Sequence, residues 1–184
     1  KYTLSTAGAM PTLTQAVVAA EFPGGEIVYK IFYYLGRMMI GTNKGVRIAD
    51  INDQDGSLMY GPLLFESTQP VYDFAARDRF IWCACGVGTD AGLVRIDLGT
   101  TVEGETITGG YANQLRFAYA NDLQYKHGVT NNTTAVGFIG TTSRLAFCTA
   151  QLGTTVGYLY FEHATNLVAT GYLTSGAIRY STLE

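Results

Sequence analysis

One stretch of the chain, 71–85 (VYDFAARDRFIWCAC), recurs along the sequence. Moved forward by 65 residues it matches 136–150, so that Cys83 falls on Cys148. Moved back by 42 residues, it places Phe74 on Phe32. Self-similarity at a period of roughly 20–50 residues indicates a repeat architecture, in which one supersecondary unit is used several times. The sequence therefore predicts a unit of about 42 residues, one copy of which is lengthened by an insertion.

The first copy contains four apolar segments separated by turn signals such as GTNKG and NDQDG, at 27–35, 38–40, 46–51 and 58–65. The first two segments are apolar at both parities, which predicts strands buried on both faces. Pro62 lies in the fourth segment and predicts an edge strand, because proline has no N–H to donate to a ladder. Four antiparallel strands of this kind are typical of one blade of a β-propeller.

We therefore predict an all-β chain, a β-propeller of four-stranded antiparallel blades, with a two-sheet sandwich as the alternative. No stretch has helical periodicity over three turns. The start at Lys1 and the end at Glu184 interrupt the pattern, which predicts a segment of a longer polypeptide. The predicted units are a leading segment that forms the outer strand of a preceding blade (1–25), a blade (26–67), a blade with an inserted hairpin or loop (70–134), a blade (135–174) and the first strand of a next blade (175–184).

Composition limits the function classes. Hydrophobic residues make up 47% and charged residues 15% of the 184 residues, which predicts an ordered globular chain, soluble when isolated. The net charge is −3, and the Lys and Arg residues are scattered singly, so no basic stripe is available for nucleic acid. No apolar run reaches the roughly 20 residues that a membrane-spanning helix needs.

The sequence contains only weak motifs for catalysis, metal binding or cofactor binding. Cys83 and Cys85 lie two apart on one predicted strand and point to the same face, which favours small core residues over a disulfide. NDQDG lacks the glutamate of a calcium loop, and GVGTDAG joins two predicted strands and so is a turn rather than a nucleotide loop. His127 and His163 have no zinc-ligand spacing around them. We predict no catalytic residues, no metal site and no cofactor.

Two sets of polar residues are weighed as sites. Asp73 and Asp78 flank a predicted hairpin, and solvated turn carboxylates are favoured over an acid–base pair. Three arginines share one repeat position, where a repeated salt bridge or turn cap is favoured over a ring of guanidinium groups: Arg37, Arg79 and Arg144. Overlapping sequons at 131–134 matter only in a chain secreted from a eukaryote.

A polar, tyrosine-containing stretch between Thr100 and Thr134 is the best candidate for a recognition loop. Tyrosine gives contact area at low entropic cost, and amide side chains give adaptable hydrogen bonds, a combination found in surfaces that bind sugars and proteins. The candidate recognition residues are Tyr111, Asn113, Gln114, Tyr119, Asn121 and Tyr125.

Three phrases resemble a known family: RIDLGT (95–100), RFAYANDL (116–123) and SGAIRYSTLE (175–184). They are similar to segments of the minor tail proteins of tailed bacteriophages that infect actinobacteria. The resemblance covers most of the chain from about Gly41 onward. It implies a non-enzymatic virion protein of the phage tail, with propeller-like repeats. It carries over no catalytic residues.

The expected partners are other tail proteins or the rest of the same longer chain, and a glycan or protein of the host surface. Two other classes remain open on the sequence. One is a glycan-cleaving enzyme built on a propeller, which needs paired carboxylates that converge in a central funnel. The other is a cellular propeller that scaffolds protein–protein interactions.

Overall fold

The computed structural model describes residues 4–5, 12–13, 18–52, 54, 56–102, 116–125, 131–151, 153–163 and 165. These residues form thirteen β-strands and no helix, which confirms the predicted all-β class. Every strand pairing is antiparallel, as expected for strands joined by short turns. The end of the predicted blade 135–174 and the predicted first strand of a next blade, 175–184, lie outside the described residues.

Three sheets follow one another along the chain, each a simple meander. The first sheet consists of β3 (Val28–Tyr34), β4 (Arg37–Thr42), β5 (Gly45–Ile51) and β6 (Leu58–Glu66). The second consists of β7 (Asp73–Arg77), β8 (Phe80–Val87), β9 (Asp90–Val102) and β10 (Arg116–Tyr125). The third consists of β11 (Asn131–Ile139), β12 (Arg144–Gln151) and β13 (Gly157–Phe161). A short pair, β1 (Leu4–Ser5) and β2 (Thr12–Leu13), precedes them.

Turn chemistry explains where the strands end. Leu35 and Gly36, both with positive φ, connect β3 and β4, a conformation that matches the twist of a tight hairpin. GVGTDAG forms a two-residue turn at Gly88 and Thr89, because Val87 already pairs with Asp90. The other residues of GVGTDAG belong to β8 and β9, so the turn expected from the sequence is confirmed.

The three sheets stack face to face with the second sheet in the middle. One core cluster fills the space between the first and second sheets and includes Met39, Val46, Phe74, Cys83 and Ile96. Another fills the space between the second and third sheets and includes Ala75, Trp82, Leu93 and Val136. Strand alternation explains this, because successive side chains point to opposite faces of the second sheet.

The second sheet contains a strand, β8, that is buried on both of its faces. All residues of β8 from Ile81 to Val87 are buried, as its apolar sequence on both parities predicts. The same expectation for 27–35 was wrong. β3 is an edge strand whose Ile31 and Tyr33 are 55% and 59% exposed, because only the opposite face of the strand meets the second sheet. β6 is the other edge strand, which confirms the position inferred from Pro62.

The repeat exists with a different register. Tyr34 pairs with Arg37 at the end of the first hairpin and Arg77 pairs with Phe80 at the end of the second, so the equivalent pair recurs after 43 residues, not 42. A slip of one residue moves every side chain to the other face of a sheet. The alignment of Phe32 with Phe74 therefore equated residues on opposite faces.

The third sheet shows the same kind of error. The pair Val136 and Phe147 faces the second sheet, as the pair Phe74 and Cys83 faces the first. The two members recur after 62 and 64 residues because the turn of the third hairpin, 140–143, is two residues longer than that of the second. The offset of 65, which placed Cys83 on Cys148, was wrong in register.

Residues 18–26 run beside the outer edge of the first sheet. The N–H of Leu58 donates to the carbonyl of Ala19, and the hydroxyl of Tyr60 donates to the carbonyl of Glu21. Phe22 stacks on Tyr60 with ring centroids 4.7 Å apart. These contacts fix this part of the chain against β6.

Candidate recognition surface

The first strands of the three sheets lie side by side. Asp73 on β7 joins them, since one carboxylate oxygen is 2.8 Å from Lys30 Nζ on β3 and the other accepts from the N–H of Val136 on β11 at 3.2 Å. Tyr72 stands edge-on to the exposed Tyr29, with ring centroids 5.3 Å apart. Asp73 is thus a half-buried structural link, and its interpretation as a solvated turn carboxylate was wrong. Asp78 is an exposed turn residue, as expected.

The carboxylates of the described strands are largely held in ion pairs. Arg37 pairs with Asp50, and Arg79 with Asp97 at 3.2 Å, so two of the three arginines grouped by sequence make a salt bridge to the third strand of their own sheet. The third, Arg144, has an exposed side chain. The repeated salt bridge is therefore present in the first two sheets.

The least exposed of these pairs joins Glu26 to Arg47 on the face of the first sheet that points away from the second. Two hydrogen bonds of 2.8 Å connect the carboxylate to Nε and Nη2 of Arg47, the two-pronged geometry that arginine favours. The hydrogen bond from Arg47 is the main cause that lowers the pKa of Glu26. The same bond raises the pKa of Arg47. Both groups are therefore charged at neutral pH.

The candidate recognition residues divide into three groups. Tyr119 and Asn121 are exposed on β10, the outer strand of the second sheet, and the Tyr119 ring lies 5.2 Å from Phe65. Tyr125 is the last residue of the same strand, and its backbone is described. Tyr111, Asn113 and Gln114 lie outside the described residues. The structure thus brings Tyr119 and Asn121 onto one strand and one face.

A cluster of arginine and aromatic side chains, unrecognised in the sequence, lies on the other face of the second sheet. The Arg77 guanidinium lies 4.6 Å from the centroid of Phe138 and 5.6 Å from that of Trp82. Arg95 lies 5.2 Å from the centroid of Phe80 and pairs with Asp122 on β10 at 3.4 Å. We call these residues the arginine–aromatic cluster.

The indole N–H of Trp82 also donates to Asp122 at 2.8 Å, so the cluster reaches β10 through this carboxylate. Guanidinium groups over ring faces are attracted by the negative charge of the π face. The rings of the cluster are part of the packing between the second and third sheets, where Trp82 is only 5% exposed, and the part that reaches solvent is the Arg95 side chain, 42% exposed. The members come from five strands, β7 to β11, so only the presence of Arg and Trp in one hairpin signalled the cluster in the sequence.

The other residues considered in the sequence are the cysteines, the sequon asparagines and the histidines. Cys83, Cys85 and Cys148 are free, and burial raises the pKa of Cys83 well above its usual range and that of Cys85 to about 12. Asn131 and Asn132 of the overlapping sequons are buried at the start of β11, 3% and 8% exposed. His163 lies at the surface, and His127 is outside the described residues. Within the described ranges, no group of three or more His, Cys, Asp and Glu side chains is placed to hold a metal ion.

No family model, no curated protein and no solved structure matches this chain. Among the described residues no helix is long and apolar enough to cross a membrane.

Proposed function

We propose that the stacked sheets are blades of a β-propeller and that the chain is a non-enzymatic structural protein of a phage tail, whose outer loops and strands recognise a host-surface glycan or protein. The observation that carries the proposal is the stack itself. Three successive meanders pack face to face with their first strands β3, β7 and β11 side by side, which is how blades are arranged around an axis. The resemblance of the three sequence phrases to minor tail proteins supplies the biological setting.

A structural rather than catalytic role is supported by the use of the carboxylates. Asp73, Asp97 and Asp122 each pair with a cation or receive hydrogen bonds within the fold. A glycosidase of the usual kind needs two carboxyl groups about 5–10 Å apart that face a common cleft. These three aspartates instead connect neighbouring parts of the sheets.

Recognition is assigned to the outer strand β10 and to the exposed arginines of the same sheet, Arg79 and Arg95. Tyr119 is 49% exposed and the Arg79 and Arg95 side chains are 59% and 42% exposed, although each contacts an aromatic ring. Large aromatic surfaces and planar guanidinium groups that are already positioned lose little entropy on binding. Several copies on one virion would raise the avidity of weak contacts.

The test is co-sedimentation of the purified chain with insoluble cell walls of an actinobacterium, with walls from a bacterium of another phylum as control. We expect specific retention that falls at least fivefold in the Tyr119→Ala/Arg95→Ala double variant. The Thr89→Ala variant, changed in an exposed turn between β8 and β9, should be retained like the wild type. Absence of retention at high micromolar concentration would remove the recognition role.

The same incubation separates binding from cleavage. A non-enzymatic protein leaves the walls intact, so the supernatant should contain no more soluble sugar than a buffer control. Time-dependent release of reducing sugar would instead favour the glycan-cleaving class.

A further inference from the structure

Each junction between two sheets in this chain is built in the same way. We call the face of a sheet that points to the preceding sheet its back face, and the opposite one its front face. At the first junction, Phe32 and Met39 of a front face meet Phe74 of a back face. At the second, Trp82 of a front face meets Phe138 of a back face, with ring centroids 5.2 Å apart. A front face therefore always meets a back face.

Among the described residues, two faces of the stack have no neighbouring sheet of the stack against them, one face of each kind. On the back face of the first sheet, Ile31 and Tyr33 are more than half exposed. Ile31 occupies the position that Phe74 has 43 residues later, and Phe74 is only 4% exposed. Residues 18–26 cover the β6 side of this face through Phe22 and leave the β3 side open.

The front face of the third sheet is apolar as well. Leu159 and Phe161 of β13 are 56% and 45% exposed. They pair with Cys148 and Ala146 of β12, which alternate with the residues that face the second sheet. Ile139, at the end of β11, is 42% exposed. Exposed apolar patches on a face of this kind mark an interaction surface.

The first hairpin turn of a sheet also takes part in the junction with the preceding sheet. Leu35, Asp78 and Ser143 occupy the first hairpin turn of their sheets, each with positive φ (45°, 56° and 48°). At both existing junctions the turn carbonyl accepts a hydrogen bond from the preceding sheet, from Tyr34 to Asp78 at 2.8 Å and from Arg77 to Ser143 at 2.6 Å.

Leu35 stands at the matching place of the first sheet. A bulky branched residue is unfavourable at positive φ, and its side chain is 61% exposed, so local turn chemistry does not explain the leucine. The preceding-sheet residues Tyr34 and Arg77 correspond in position to Ile139 at the end of β11. Leu35 and Ile139 thus occupy the two positions that meet at the existing junctions, and both are exposed and apolar, so a contact between them would be hydrophobic instead of hydrogen-bonded.

We propose that a second copy of this chain docks head to tail, with the front face of its third sheet against the back face of the first sheet. The two faces differ, so the contact is heterologous and repeats from copy to copy until a ring closes. Because one chain presents both a free front face and a free back face, we take the docking partner to be a second copy of the chain. The inference rests on the face-to-face stacking in the proposed function and is independent of the tail assignment.

The first experiment is disulfide trapping between single-cysteine variants. Leu35→Cys and Ile139→Cys are made in a Cys148→Ser background, because Cys148 lies on the interacting face, whereas Cys83 and Cys85 are fully buried. After mild oxidation we expect cross-linked dimer only when the two variants are mixed. Replacing Leu35→Cys by Thr89→Cys in the mixture should abolish the product. Cross-linking of Leu35→Cys with itself would overturn the proposal, because it indicates a symmetric contact.

The second experiment is the mass in solution by light scattering. The wild type should have at least twice the mass of one chain, and Ile31→Asp or Phe161→Asp should each reduce it to one chain. A mixture of these two variants should restore a dimer, because each retains one intact face. A wild type that stays at the mass of one chain at high micromolar concentration would overturn the proposal. Wall retention, measured on the same samples, reports on the proposed recognition role separately.

Discussion

Phe32 and Phe74 stack on each other between the first two sheets, with ring centroids 6.0 Å apart and planes inclined by 22°. Phe32 belongs to the front face of the first sheet and Phe74 to the back face of the second. Residues that look like copies of one another in the sequence are therefore the two partners of one contact. This relationship defines how successive sheets pack.

Phe74→Ala tests that contact. The side chain is 4% exposed, so we expect the free energy of unfolding to fall by about 3–5 kcal/mol from lost burial and the cavity left behind. Phe161→Ala, at a position 45% exposed, should cost about 1 kcal/mol when measured at low protein concentration. Urea denaturation of both variants provides the measurement. Equal costs would mean that the first two sheets do not pack through Phe74.

Strand positions were readable from the sequence, whereas faces were not. Turn residues and Pro62 located the strands of the first sheet, because their backbone constraints are local. The face that each residue occupies depends on parity, and β8 is apolar at both parities, so its sequence contains no signal that separates one face from the other. An alignment of the repeats that is shifted by one residue therefore scores as well in sequence similarity, although it places every side chain on the wrong face of the sheet.

The sequence predicted some exposed residues of the candidate recognition surface, but not the contacts between sheets. Tyr119 and Asn121 were chosen by residue type, and both are exposed on β10. The contact between Arg77 and Phe138 joins two sheets across 61 positions of sequence, and its partners are apolar or basic residues with other common roles. Sequence spacing cannot predict it, because the stacking of sheets decides which side chains meet.

The ion pair between Glu26 and Arg47 should contribute measurably to stability. Their side chains are 3% and 11% exposed, so the Glu26→Gln variant leaves a largely buried guanidinium without its counter-charge. We expect a loss of about 3 kcal/mol at pH 7 by urea denaturation. The Asp50→Asn variant breaks the more exposed pair with Arg37 and should cost below about 1 kcal/mol.

The same pair predicts a pH dependence. The pKa of Glu26 in the folded chain lies below its ordinary value of 4.5, so its contribution is fully present above about pH 4.5 and is lost as the pH falls through the lowered pKa. The difference in stability between wild type and Glu26→Gln should therefore be constant from pH 7 to pH 5 and shrink below pH 4.5. A difference that stays unchanged down to pH 2 would contradict an ionised, hydrogen-bonded carboxylate.

Arg77 should not be replaceable by lysine. Its planar guanidinium donates to the Ser143 carbonyl while it lies over Phe138 and Trp82, and an ammonium group cannot reproduce this geometry. Arg77→Lys should lower the free energy of unfolding by about 1–2 kcal/mol. Arg144→Lys, at an exposed side chain, should change it by less than about 0.5 kcal/mol. Thermal unfolding followed by circular dichroism compares the two, and equal shifts in Tm would show that the guanidinium contacts carry no stability.

The three thiols should differ in reactivity according to their place in the stack. Cys83 and Cys85 are buried at the first junction, where the thiolate is unfavourable, and burial raises the pKa of Cys85 to about 12. At pH 8 and a protein concentration low enough to keep the chain monomeric, iodoacetamide should therefore label one thiol per native chain, that of Cys148, and three in guanidinium chloride. The Cys148→Ser variant should accept no label when native and two when unfolded. Rapid native labelling of Cys83 or Cys85, detected by mass spectrometry of peptides, would contradict tight packing between the first and second sheets, where both thiols are buried.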